Sequence, residues 1–151
     1  MSRHKIIFYV EQDEDDYPPF GVETVWASGS GSPGEYLIDN IPFFARQATL
    51  GDVVRANQSA AGLEFERVVT RSSNSLLRVI VYALEMAEQV RSRLIELGCS
   101  TEVFSGSRLI AVNVPAETSL KSVQDYLSDL EARDVATYER NRPINDPAAR
   151  I

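Results

Sequence analysis

Residues 76–98 read Leu76-Leu77-Arg78-Val79-Ile80-Val81-Tyr82-Ala83-Leu84-Glu85-Met86-Ala87-Glu88-Gln89-Val90-Arg91-Ser92-Arg93-Leu94-Ile95-Glu96-Leu97-Gly98, and the hydrophobic period changes inside this stretch. Leu77, Val79 and Val81 alternate with Ile80 and Tyr82, which marks a strand apolar on both faces and therefore central in its sheet. From Leu84 the apolar positions step by three or four. Leu84, Ala87, Val90, Leu94 and Leu97 form one stripe, Glu85, Glu88, Arg91 and Arg93 take the other side, and Gly98 stands where a left-handed C-cap belongs. A strand thus feeds directly into a helix.

Downstream, Thr101 to Phe104 and Leu109 to Val114 read as a hairpin around Ser105-Gly106-Ser107. Thr118 or Ser119 is placed to cap a second helix whose stripe is Leu120, Val123, Leu127 and Leu130, and Val135 to Glu139 reads as a closing strand. The order βαββαβ is the ferredoxin-like plan. Upstream the period is that of strands. Ile6, Phe8 and Val10 share one face, then Val22, Thr24 and Trp26, then Tyr36 and Ile38; Val53-Val54-Arg55 and Leu63 to Val69 follow, with Gly and Pro at the corners. Five short strands in succession imply a small β-barrel-like half, with Phe43, Phe44 and Trp26 in its core. The expected fold class is α+β: a five-stranded barrel-like domain over residues 1–73, a ferredoxin-like domain over 74–141, and a flexible tail over 142–151.

Composition narrows the function. Fifteen Lys and Arg against 22 Asp and Glu give a net charge of −7, the wrong sign for a protein that grips phosphate backbones. Residues 1–73 hold 11 acids and 6 bases and so most of the excess. One cysteine, Cys99, and one histidine, His4, provide neither a zinc site nor a histidine-based triad, so no metal, no cofactor and no catalytic nucleophile are expected. Met1 to Lys5 precede only Ile6-Ile7-Phe8-Tyr9-Val10 before Glu11, which reads as a strand and not a signal peptide. With no apolar run near the twenty or so residues a bilayer requires and a lone thiol, the expected setting is the cytoplasm, away from membranes.

Several phrases together resemble a bacterial family, domain of unknown function 4265: Asp39-Asn40-Ile41-Pro42-Phe43-Phe44-Ala45, Leu50-Gly51-Asp52-Val53-Val54, Phe65-Glu66-Arg67-Val68-Val69, Leu77-Arg78-Val79-Ile80, Leu97-Gly98-Cys99 and Arg108 to Pro115. The resemblance spans about residues 5–140 and brings no catalytic motif with it. By analogy with small acidic proteins of polymorphic toxin systems, it implies an immunity protein.

Two sites stand out. Glu11-Gln12-Asp13-Glu14-Asp15-Asp16-Tyr17 is a dense run of carboxylates ending in an aromatic. Asp13, Glu14, Asp15, Asp16 and Tyr17 are the expected contact with a basic cognate toxin, since opposite potentials speed capture; the bland reading is a solvated hairpin tip. Arg67, Arg71, Ser72, Ser73, Asn74 and Arg78 combine guanidinium, hydroxyl and amide groups suited to an anion, or else simply build an inter-strand turn. The expected function is therefore a non-enzymatic cytoplasmic immunity protein that occludes a toxin's active surface, with a small-ligand-sensing module at the junction of the halves as the alternative. A carboxylate-only enzyme would need two acids with split pKa values in one cleft, and scattered acids do not single out such a pair.

Overall fold

Alternating β-branched and polar residues, cut at Gly, Pro and Asn, make the first seventy residues short strands. A computed structural model describes residues 3–141; the expected tail at 142–151 lies outside them. The strands are β1 (Arg3–Tyr9), β2 (Val22–Gly29), β3 (Glu35–Ile38), β4 (Val53–Ser59) and β5 (Gly62–Thr70). Each pairs antiparallel with the next in sequence. In such a meander the odd strands all run one way, so closure of a five-stranded sheet must bring the first and last together in parallel. Ile6 and Ile7 do lie parallel against Leu63 and Glu64, and the barrel is closed.

A closed sheet of few strands encloses little volume, and small side chains fill it. Ile6, Phe8, Val25, Ala27, Ile38, Val54 and Ala56 point inward, joined by Ala45 and Ala48 from the segment between β3 and β4. Phe8 stacks on Phe65 with ring centroids 4.7 Å apart. This corrects the expected position of Trp26, which is 36% exposed. β2 carries apolar residues in both phases, and the narrow interior takes Val25 and Ala27 in place of the indole. Arg3 Cζ then sits 4.4 Å and Lys5 Nζ 5.0 Å from the Trp26 ring centroid. Phe44 is buried and Phe43 half-buried.

The chain divides between Ser72 and Ser73 into two compact units. The second runs β6 (Ser75–Val81), a 3-10 turn (Leu84–Met86), α1 (Ala87–Glu96), β7 (Ser100–Val103), β8 (Leu109–Val114), α2 (Leu120–Ala132) and β9 (Ala136–Asn141). Its sheet has the order β7-β8-β6-β9 with every neighbouring pair antiparallel. Leu77, Val79 and Val81 of β6 and Ile110, Val112 and Val114 of β8 pack with Val90 and Leu94 of α1 and Val123, Leu127 and Leu130 of α2 in one core. The molecule is thus a mixed α+β fold of a five-stranded and a four-stranded sheet with two helices.

Leu84 departs from its expected place on the α1 stripe. It lies in the 3-10 turn, whose tighter pitch puts it out of phase, and it is 59% exposed. Gly98 ends α1 at φ +106°, a conformation open to glycine; a Cβ there would stand 2.7 Å from Thr118 Oγ1. Ser119 caps α2, its Oγ accepting the Ser122 N–H at 3.1 Å. Cys99, directly after Gly98, is buried in the core. No helix among the described residues is long and apolar enough to cross a membrane.

Candidate binding surface

The acidic run connects β1 to β2 and is held by its own backbone. The Val10 N–H donates to the Gly21 carbonyl at 2.8 Å, closing the base of the loop, and the Asp13 N–H donates to the Tyr17 carbonyl at 2.7 Å. Asp13 Oδ1 accepts the N–H groups of Asp15 at 2.9 Å and Tyr17 at 3.0 Å. Such an Asx-type closure is what a short carboxylate does best in a turn. Gln12 Nε2 donates to the Pro18 carbonyl at 2.9 Å, Asp16 takes φ +59°, and the Tyr17-Pro18 peptide is cis. Asp13 therefore organises the loop, while Glu11, Glu14, Asp15 and Asp16 are exposed beside it.

Aromatic groups line the base of these carboxylates. Tyr17 and Phe20, both about half exposed, lie edge-on and tilted against buried Phe44, at centroid distances of 6.3 and 6.0 Å. Tyr9 and Val22 face each other across the last β1–β2 rung and are both exposed. A hydrogen bond to Glu64 holds the Tyr9 phenol above its usual value; hydrogen bonds from Ser59 and then Tyr9 hold the Glu64 carboxyl below its own.

The second candidate set is dispersed. Arg71 Nη1 lies 3.2 Å from Asp52 Oδ2, the Ser72 N–H donates to Asp52 Oδ1 at 2.8 Å, and the Ser72 hydroxyl donates to the Leu50 carbonyl at 3.1 Å. Asp52, 1% exposed, also accepts the Thr49 N–H at 3.0 Å. The protein's own carboxylate thus takes the place an external anion would fill at Arg71 and Ser72. Arg67 is exposed on β5 opposite Arg55. In the second unit Ser73 is exposed and Asn74 half-buried, and Arg78 is buried on β6 with Nη1 3.4 Å from Glu139 Oε1. The fold brings Arg71 and Ser72 together on Asp52, and Arg78 onto Glu139.

Two organising carboxylates escaped the sequence reading. One is Asp52. The other is Glu23 of β2, whose Oε2 accepts the Phe43 N–H at 2.6 Å and whose Oε1 accepts those of Phe44 at 2.9 Å and Ala45 at 2.7 Å. Three successive N–H groups converging on one carboxylate make a backbone anion nest filled from within. Only the charge of Asp52, the one ionisable residue in the run Ala48-Thr49-Leu50-Gly51-Asp52-Val53-Val54, hinted at such a role.

Fold and surface together define an acidic two-unit α+β protein with a closed five-stranded meander, a helix-backed four-stranded sheet, and a carboxylate-aromatic tip. The chain belongs to the family of the domain of unknown function DUF4265, whose sequence model matches residues 23–138. It is similar in fold to a solved structure described as a "Novel crystal structure of a hypothetical protein from Neisseria gonorrhoeae", with a TM-score of 0.71 at 20% sequence identity, covering 94% of this chain and 96% of that one. No curated protein matches the sequence.

Proposed function

We propose that the protein is a cytoplasmic immunity protein that binds a cognate bacterial toxin and neutralises it by covering its active surface, acting by binding and not by catalysis. The observation that carries this reading is the tip between β1 and β2: exposed Glu14, Asp15 and Asp16 on a backbone-closed loop, with half-exposed Tyr17 beside them. Preset carboxylates draw in a basic cleft at long range, and an aromatic anchor supplies buried area at low entropic cost. The first half as a small barrel, supported by the closed meander, is a rigid scaffold for such a tip, and the β7-β8-β6-β9 order supports a ferredoxin-like second half. An anion sensor at Arg67 to Arg78 has less support, because Asp52 already engages Arg71 and Ser72.

The test uses the product of a neighbouring gene that arrests growth when expressed alone. Co-expression of this protein is expected to restore growth. The variant Glu14→Gln/Asp15→Asn/Asp16→Asn spares Asp13 and keeps an amide tolerant of positive φ at position 16. It should slow association about tenfold at low salt, less at high salt, with thermal stability unchanged. A growth-arresting neighbour that this protein neither binds nor relieves overturns the reading.

A further inference from the structure

The two edges of the four-stranded sheet are unlike. β7, at one edge, is four residues long; β9, at the other, is six and pairs with β6 alone. A short edge offers little to a foreign strand, whereas a longer one is a template unless something blocks it. Hydrogen bonding fixes which groups β9 leaves open. The Tyr82 N–H donates to the Val135 carbonyl at 2.9 Å, and bonded and non-bonded pairs alternate along an antiparallel ladder. Ile80 with Thr137 and Arg78 with Glu139 are therefore bonded pairs, while Ala136, Tyr138 and Arg140 turn their N–H and carbonyl groups to the free edge. One of these N–H groups is capped by a side chain. Glu131, exposed near the end of α2, accepts the Tyr138 N–H at 3.3 Å and the Thr137 hydroxyl at 2.9 Å, both on Oε2. Tyr138 packs against the helix-backed core with its hydroxyl 3.4 Å from Ser128 Oγ, which keeps this part of β9 beside α2.

A second copy of β9 is a strand this edge fits. With Tyr138 opposite its own copy, side chains keep to matching faces, Ala136 meets Arg140 and Thr137 meets Glu139, so no two strand residues of like charge stand opposite. Glu139 is also engaged by Arg78 Nη1 at 3.4 Å. Such a pairing would add about six backbone hydrogen bonds. At its centre, however, stand two Glu131 carboxylates, each on an N–H that the pairing needs and each close to its own copy. We propose that Glu131 holds β9 closed to strand addition by a second copy of this chain: the edge stays single while the carboxylate is in place, and β9 joins β9 across a twofold axis at Tyr138 when it is removed. The inference stands apart from the toxin-binding reading, since it needs no second gene product.

Sedimentation equilibrium of the full chain over a range of concentrations tests it, with circular dichroism confirming that each variant is folded. Glu131→Ala, a change at an exposed helix position, is expected to self-associate at least tenfold more tightly than the wild type. Adding Arg140→Pro should abolish the gain. The Arg140 N–H faces away from β6, so the fold does without it, but a second copy then loses a donor and meets the proline ring. Amide hydrogen exchange in Glu131→Ala alone reads the place independently of the proline: Ala136, Tyr138 and Arg140 should exchange more slowly as concentration rises. A Glu131→Ala protein that associates no more than the wild type overturns the proposal, as does a gain that survives Arg140→Pro, or concentration-dependent protection that falls outside β9.

Discussion

Asp52 spends both carboxylate oxygens on partners up to 20 positions away in the chain: the Arg71 guanidinium, the Ser72 N–H and, locally, the Thr49 N–H. Arg71 keeps 18% of its side-chain exposure, so its charge is largely withdrawn from water. Removing the carboxylate takes away the ion pair of a largely buried guanidinium, which keeps its 3.3 Å bond to the Gln47 carbonyl, and the acceptor of two N–H groups; Asp52→Ala is expected to cost about 3 kcal/mol in urea unfolding, where Asp39→Ala, an exposed partner of Arg3, should cost under about 1. Cys99 makes a different residue-scale case. Burial pushes its thiol from 9.0 up to about 11. The unfolded chain therefore releases this proton first as pH rises. The stabilisation is complete below the ordinary thiol range, falls above pH 9.0 and is gone past about 11. Cys99→Ser should flatten the pH dependence of unfolding in that window, and native Cys99 should resist disulfide exchange reagents until the fold opens. The helix-ending role of Gly98, next to Cys99, was legible. The role of Asp52 was not, because a sequence does not say which distant N–H groups a carboxylate will accept.

At the scale of elements, strands and helices followed from period, and errors arose where two periods or two phases competed. β2 reads Val22-Glu23-Thr24-Val25-Trp26-Ala27, apolar in both phases, and the volume inside a five-stranded closure decides between them. Leu84 fits a helical stripe on spacing alone, yet Leu84–Met86 winds as a 3-10 turn and the α-helical phase begins at Ala87. Where one residue type serves one geometry, the reading was secure: Gly98 ends α1, while of the two candidate caps Thr118 and Ser119 it is Ser119 that caps α2. The glycine is required twice over, by its φ of +106° and by Thr118 Oγ1 standing 2.7 Å from any added Cβ. Gly98→Ala is expected to destabilise by about 2 kcal/mol in thermal unfolding, and Gly98→Ala/Thr118→Ala to regain the steric part while keeping the backbone penalty of about 1.

For the molecule as a whole, the change of period at Leu84 revealed the order of elements, but closure of the first sheet depends on a pairing between residues far apart in the chain that no local pattern encodes. Burial then distributes stability unevenly. β8 is buried at all six positions and β6 at five of seven, and these two strands sit in the middle of their sheet. Hydrogen exchange should be slowest in β6 and β8 and fast in the exposed loop at 11–17 and in four-residue β3. Faster exchange in β8 than in β3 would contradict this ordering.

The parallel seam between β1 and β5 has a consequence for biosynthesis. Translation delivers Ile6 long before Leu63, its partner across the seam. β2 can satisfy one edge of β1 early, but the other edge must wait with its amide and carbonyl groups open until β5 has been made. A nascent edge of that kind invites pairing with a stranger. Arg3 and Lys5, carried on this same strand, are the residue types that make such pairing unfavourable, so the cationic end of β1 also guards the chain while its barrel is still unfinished.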